Sequence, residues 1–91
     1  MSGDDFSACE EGIERLAEGD VEGAIEELTR VIAEDPKNEH AYFFLGQAYY
    51  EERSYEKALA AYVKALELAP DYLGAMIGAG QTLRLLGQHE R

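Results

Sequence analysis

One cysteine, Cys9, is present in 91 residues, so neither an internal disulfide nor a cysteine-built metal site can form. Positive charge is scarce: 8 Lys and Arg stand against 19 Asp and Glu, a formal net charge of −11. Nucleic acid and anionic membrane surfaces both require clustered cations, and this balance excludes both as partners. No stretch approaches the roughly 20 apolar residues that a membrane-spanning helix needs. The only histidines, His40 and His89, lie far apart and neither has a second ligand at metal spacing. No Gly-rich phosphate loop follows a strand, and strand patterns themselves are missing. No His stands beside Cys9 in sequence to activate its thiol. The chain is therefore read as a non-enzyme without cofactor or metal. Its acidic start, Met1 to Asp5, lacks the basic residues and apolar run of a signal peptide, so a reducing, cytoplasmic setting is expected.

Apolar residues make up 46% of the chain, the ordinary globular share, which is enough for the core of one domain. They are arranged with a long period. The two prolines, Pro36 and Pro70, are 70 − 36 = 34 residues apart. The same offset carries Gly12 onto Gly46 and Ala24 onto Ala58. It also carries Ile25 onto Leu59, Leu28 onto Tyr62 and Val31 onto Ala65, and a partial third copy places Gly80 after Gly46. A period carried by small, apolar and Pro residues is a structural one.

Within each period the apolar spacing of three and four predicts two helices. Ala41, Tyr42, Leu45, Ala48 and Tyr49 form the stripe of one; Ala58, Leu59, Tyr62, Ala65, Leu66 and Leu68 form that of the next. Asp20 and Ser54 stand where N-caps belong. Helices are expected at about 5–18, 21–34, 39–52, 55–68 and 72–86. Gly12 and Gly46, with Ala24 and Ala58, are expected where antiparallel helices approach closely, because a larger side chain would part them. Glu11–Arg15 and Glu26–Arg30 are favourable pairs at helical spacing, worth a few tenths of a kcal/mol. Glu10, Glu14 and Glu18 share one face, read as either a solvated surface or a docking strip for a basic partner.

The second copy resembles the tetratricopeptide repeat family, whose signature it carries as Tyr42, Leu45-Gly46, Tyr49, Ala58, Tyr62, Ala65 and Pro70. The first copy keeps Gly12, Ala24 and Pro36 but has Ala8, Glu11 and Arg15 elsewhere in the signature; the third keeps Gly80, with Met76 in the aromatic position. The resemblance implies an all-α fold, a right-handed stack of antiparallel helix pairs with five helices. It implies one domain over 1–91, with repeats at about 5–38 and 39–72 and a partial third at 73–91. It further implies a concave groove, lined by the first helix of each repeat, that binds a peptide or helical segment of a partner protein.

Carried over residue by residue, the groove positions are Phe6, Cys9, Ile13, Leu16 and Ala17, then His40, Phe43, Gln47, Tyr50 and Glu51. Gly74, Ile77, Gln81, Arg84 and Leu85 complete it. Phe6, Phe43 and Tyr50 either line this groove or pack among themselves. Chaperone-binding members hold a C-terminal carboxylate with Lys, Asn and Arg. Those positions fall on Cys9, Ile13, Phe44, Gly74 and Gly78, none of them a cation. The partner is thus expected to be basic or amphipathic. The last helix is apolar on more than one face. Leu73, Ile77 and Leu85 cannot all face the preceding repeat. Either the chain is part of a longer array or a second copy covers this helix as a homo-oligomer.

Overall fold

The computed structural model describes residues 2–89, with side chains for 5–88, and among these every regular element is a helix. In order these are α1 (Ser2–Ser7), α2 (Glu10–Ala17), α3 (Val21–Glu34), α4 (Glu39–Glu51), α5 (Tyr55–Leu68) and α6 (Leu73–His89). The side chain of His89, read as having no second ligand at metal spacing, lies outside the described residues. Consecutive helices pack on one another from α2 to α6, and α1 lies on α4. The central element is α4, which touches α1, α2, α3, α5 and α6.

The turns repeat as the sequence does. After α2, the N–H of Gly19 bonds the Leu16 carbonyl and that of Asp20 reaches back to Arg15; after α4, Arg53 and Ser54 bond Tyr50 and Tyr49 in the same way. This termination places one residue in the left-handed region, Gly19 at φ 85° and Arg53 at φ 69°. Glycine adopts it freely, whereas Arg53 does so at a cost of about 1–2 kcal/mol. Asp35 and Ala69, each before a proline, are extended and end the long helices α3 and α5.

Capping is less uniform than expected. The Asp20 carboxylate accepts from the Gly23 N–H at 3.0 Å, but the Ser54 hydroxyl makes no cap hydrogen bond. The expected ion pairs are also replaced. Arg30 pairs with Glu27 at 2.9 Å rather than with Glu26, and Arg15 lies 3.5 Å from Asp20 rather than pairing with Glu11. One turn or a loop brings these carboxylates nearer, and at such exposure the exchange is worth little.

Six helices replace the expected five because the first is broken at Ala8–Cys9. In a continuous helix the Cys9 N–H would bond the Asp5 carbonyl. Instead it turns to the Phe6 carbonyl at 2.9 Å. The Asp5 carbonyl accepts from the Asn38 amide at 2.8 Å and from the Cys9 thiol at 3.5 Å. Asn38 is wholly buried, and its oxygen accepts from the His40 and Ala41 N–H groups at 3.0 and 3.2 Å. One side chain therefore caps α4 and fastens α1 to it. The last helix also runs to His89, beyond the expected end at 86.

The core is built from small residues around a few large ones. Cys9, Leu28, Ala41, Leu45 and Ala61 form one cluster; Ala58, Tyr62, Ala65, Ala75 and Ala79 form the other. A Cβ on Gly12 would lie 2.7 Å from Leu28, and one on Gly46 would lie 2.7 Å from the Tyr62 ring. The absence of a side chain at these two positions lets the bulky residue of the paired helix lie against the backbone, recovering the roughly 1 kcal/mol that a helical glycine costs.

Two substitutions test this packing. Ala58→Leu should overpack the wholly buried contact and destabilise by about 1–3 kcal/mol in urea unfolding; an unchanged midpoint would place Ala58 away from a close crossing. Asn38→Ala strips the cap of α4 and the tether of α1, with an expected loss of about 1–3 kcal/mol. Proteolysis near the chain start should rise in parallel.

Candidate peptide-binding groove

The first helix of each pair comes to one side of the stack, where α1 and α2, α4 and α6 are neighbours through α4. Between α1–α2 and α4 a cleft of about 410 Å³ opens, lined by Phe6, Glu10, Ile13, Glu14 and Phe44. Its floor is apolar. Glu10 and Glu14, one turn apart on α2, are exposed along its rim. Helical spacing explains the convergence: positions 10, 13 and 14 lie on one face of α2, while the break at Cys9 lets Phe6 swing over toward α4. There the Phe6 ring meets Phe44 edge-on at 6.0 Å and His40 at 5.3 Å.

Behind the cleft the aromatic contacts continue. His40 Nδ1 and the Tyr72 hydroxyl share a hydrogen bond at 2.9 Å. Phe43 stacks on Tyr72 at 5.0 Å and meets Phe44 edge-on at 4.9 Å. Its ring also covers Gly74, where a Cβ would lie 3.0 Å away. Burial, with the charge of Glu39 and the Cys9 thiol adding to it, pushes Tyr72 up to about 12. The hydroxyl thus keeps its proton, and this hydrogen bond, at neutral pH.

Most of the expected groove residues fall into three groups. Phe6 and Ile13 line the cleft. Gln47, Ile77, Gln81 and Arg84 are exposed, but none of them lines it. His40, Phe43 and Tyr50 are half-buried: Phe43 fills the space between α4 and α6, and Tyr50 pairs with Tyr55 at 5.5 Å at the far end of α4. Phe43 and Tyr50 thus pack on Tyr72 and Tyr55 rather than among themselves with Phe6. Cys9, read as either a buried or a groove-lining apolar residue, is wholly buried and so does not line the groove; its thiol is spent on the Asp5 carbonyl. Leu85 is likewise half-buried rather than free for association, while Leu73 and Ile77 are exposed. Phe44, expected only at a carboxylate-holding position, lines the cleft, and Tyr72, absent from the expected groove, backs it through Phe43. The signal for Phe44 was its place one turn after His40, beside Phe43.

At the opposite end, Arg53, Ser54, Tyr55, Glu56, Lys57 and Leu86 surround a second cleft of about 430 Å³. No group of three His, Cys, Asp or Glu among the described residues is placed to hold a metal ion. No described helix is long and apolar enough to cross a membrane.

A family model, tetratricopeptide repeat, matches residues 9–72. The chain belongs to the tetratricopeptide repeat family. Among curated relatives, it is 39% identical to the PEX5-related protein of Rattus norvegicus over 70 residues, covering 77% of this chain and 12% of that protein. The Mus musculus and Homo sapiens proteins of the same name match over 70 residues at 37% identity. The chain thus spans only a small part, 12%, of the length of such relatives. A similar solved structure is the second tetratricopeptide domain of Spaghetti (RPAP3) bound to the HSP90 peptide SRMEEVD. The TM-score is 0.87 at 31% identity, covering 92% of this chain and 78% of that one.

Titration behind the groove gives a measurable signature. Burial first, then the Asp5 charge, raise the Cys9 thiol to about 11 from an ordinary 9.0, although the Asn38 hydrogen bond pulls it down. Tyr62 and Tyr72 rise from 10.0 to about 12, chiefly by burial. All three hold their protons more tightly folded than unfolded. Their contribution is complete below the ordinary values and is lost as pH climbs through the raised ones. The thermal midpoint should therefore stay level to about pH 9 and fall between about 9 and 12. Tyr72→Phe should flatten its share of that fall, and an equal slope in the variant would exclude Tyr72 as a contributor.

Proposed function

We propose that this chain is a protein-interaction module whose cleft binds a segment of a partner carrying an apolar side chain beside a cation. The observation that carries this reading is the cleft itself: an apolar floor of Phe6, Ile13 and Phe44 under the carboxylates of Glu10 and Glu14. At about 410 Å³ it suits one large side chain. The rim carboxylates favour a Lys or Arg next to that anchor, and the net charge of −11 steers cationic segments toward the chain. An extended or helical segment fits equally, as both present one side chain to a local cleft.

The relationship to a domain bound to an HSP90 peptide supports peptide binding in general terms. The chemistry of the groove favours a different peptide. Where chaperone-binding members place cations for a carboxylate, this chain has a buried thiol, the cleft residues Ile13 and Phe44, and two glycines, Gly74 and Gly78, covered by Phe43 and Tyr62. An acidic C-terminus such as that of SRMEEVD would meet Glu10 and Glu14 instead of Lys or Arg. The proposal includes a single non-catalytic module of two and a half repeats over 1–91, without cofactor and in a cytoplasmic setting, acting inside a larger scaffold.

Fluorescence anisotropy with short labelled peptides tests this directly. Peptides with Leu or Phe flanked by Lys or Arg should bind, and acidic peptides of equal length should not. Phe44→Ala should weaken binding by about 10- to 100-fold with helicity unchanged. Glu10→Gln with Glu14→Gln should cut affinity most at low salt. Equal binding of the acidic peptides, or an intact affinity in Phe44→Ala, would sink the proposal.

A further inference from the structure

The two copies of the turn between paired helices differ in charge. In the first, the Asp20 carboxylate accepts from the Gly23 N–H at 3.0 Å and lies 3.5 Å from Arg15. Moved on by 34 residues, the positions of Asp20, Gly23 and Arg15 are those of Ser54, Lys57 and Tyr49. The second turn therefore has no carboxylate at the Asp20 position, and the Ser54 hydroxyl makes no cap hydrogen bond in its place. Its positive charge, by contrast, is kept and doubled. Lys57 Nζ lies 5.7 Å from the centre of the Tyr49 ring, bringing a charge to the residue that replaces Arg15. Arg53 adds a second cation where the first copy has Gly19. Neither pairs with a carboxylate among the described residues, whereas Arg15, Arg30 and Lys64 each do.

These groups line a cavity. Arg53, Ser54 and Lys57 lie around the cleft of about 430 Å³ at the far end of α4, and Tyr55 and Leu86 give it an apolar wall. Glu56 also lines it, but Glu22 stands at the equivalent place in the first copy, beside the Asp20 carboxylate. A glutamate in the first turn is thus compatible with an anion at this position. In the first copy one guanidinium faces one carboxylate. Two cations without a carboxylate, joined by a hydroxyl and the opening N–H groups of α5, suit a group of about two negative charges with several acceptor oxygens. The surrounding net charge of −11 disfavours an isolated carboxylate, which is too weakly charged to hold both cations. The apolar wall adds a second requirement, because a bare anion would leave Tyr55 and Leu86 uncovered.

We infer that this cleft binds a phosphorylated segment of a partner protein, its phosphoryl group between Arg53 and Lys57 and an adjacent apolar side chain on Leu86. The phosphoryl oxygens take the place that the Asp20 carboxylate fills from within the first copy. No covalent step is involved, since the chain recognises a modification that the partner already carries. The cleft is separate from the one lined by Phe6 and Phe44 and does not depend on the reading proposed for that one.

Amide NMR titration of the 91-residue chain with a blocked hexapeptide holding phosphoserine before leucine provides the test. Shifts should concentrate at Ser54, Tyr55, Glu56 and Lys57 and leave Phe6, Glu10 and Ile13 unmoved. The unphosphorylated peptide should bind at least about tenfold more weakly. Ser54→Asp, which restores the carboxylate of the first copy, should abolish binding, and Arg53→Gly, which copies Gly19, should weaken it by about tenfold. Both variants should melt no lower than the parent, since a capping carboxylate and a glycine in the left-handed region are favourable there. Their lost binding therefore cannot come from unfolding. Undiminished binding in Ser54→Asp, or equal binding of the unphosphorylated peptide, would overturn the site. Inorganic phosphate moving the same amides with equal affinity would overturn the protein partner, because Leu86 would then contribute nothing.

Discussion

The spacing of the helices rests on a contact that one side chain makes with a backbone. In the first pair Leu28 lies where a Cβ of Gly12 would be, and in the second Tyr62 lies where one of Gly46 would be. The bulk needed to fill the core thus comes from the second helix alone, and the first can be drawn in close. That arrangement lets Ala24, Ala58, Ala61 and Ala65 complete the packing without cavities large enough to need long side chains.

Much of this was legible because the same physical demand recurs every 34 residues. A period that preserves Gly, Ala and Pro together shows both the close contact and the helix ends, so α3, α4 and α5 fall at or within a residue of their expected bounds. The break at Cys9 was not legible. It depends on the Asn38 amide reaching a carbonyl 33 residues earlier in the chain, and no local pattern announces a bond that distant. The groove suffered from a related difficulty. Phe43 and Phe44 are adjacent, and which ring faces the cleft depends on where Tyr72 and Gly74 leave room on the other side. Family position brings Phe6 and Ile13 to the right place, but it also brings Cys9, whose burial follows from the broken helix rather than from its place in the repeat.

Charge and apolar surface are distributed unequally over the molecule. Carboxylates are spread through the first five helices and rim the cleft at Glu10 and Glu14, while α6 carries apolar residues and Arg84. The acidic rim of the cleft presents charge that salt screens, whereas α6 presents apolar surface that salt does not screen. A repeat architecture makes this separation straightforward, because each pair interacts only with its neighbours and can differ in surface without disturbing the remainder.

The joint between α1 and α2 has a mechanical consequence. Phe6, which forms one wall of the cleft, is carried on a separate six-residue helix, and the Asp5 carbonyl next to it is latched by the same Asn38 that caps α4. Force applied to the Phe6 ring is thus transmitted through a short lever to a single amide group. The width of the cleft and the integrity of the start of α4 become one variable. Moving Phe6 outward to widen the cleft would therefore strain that latch.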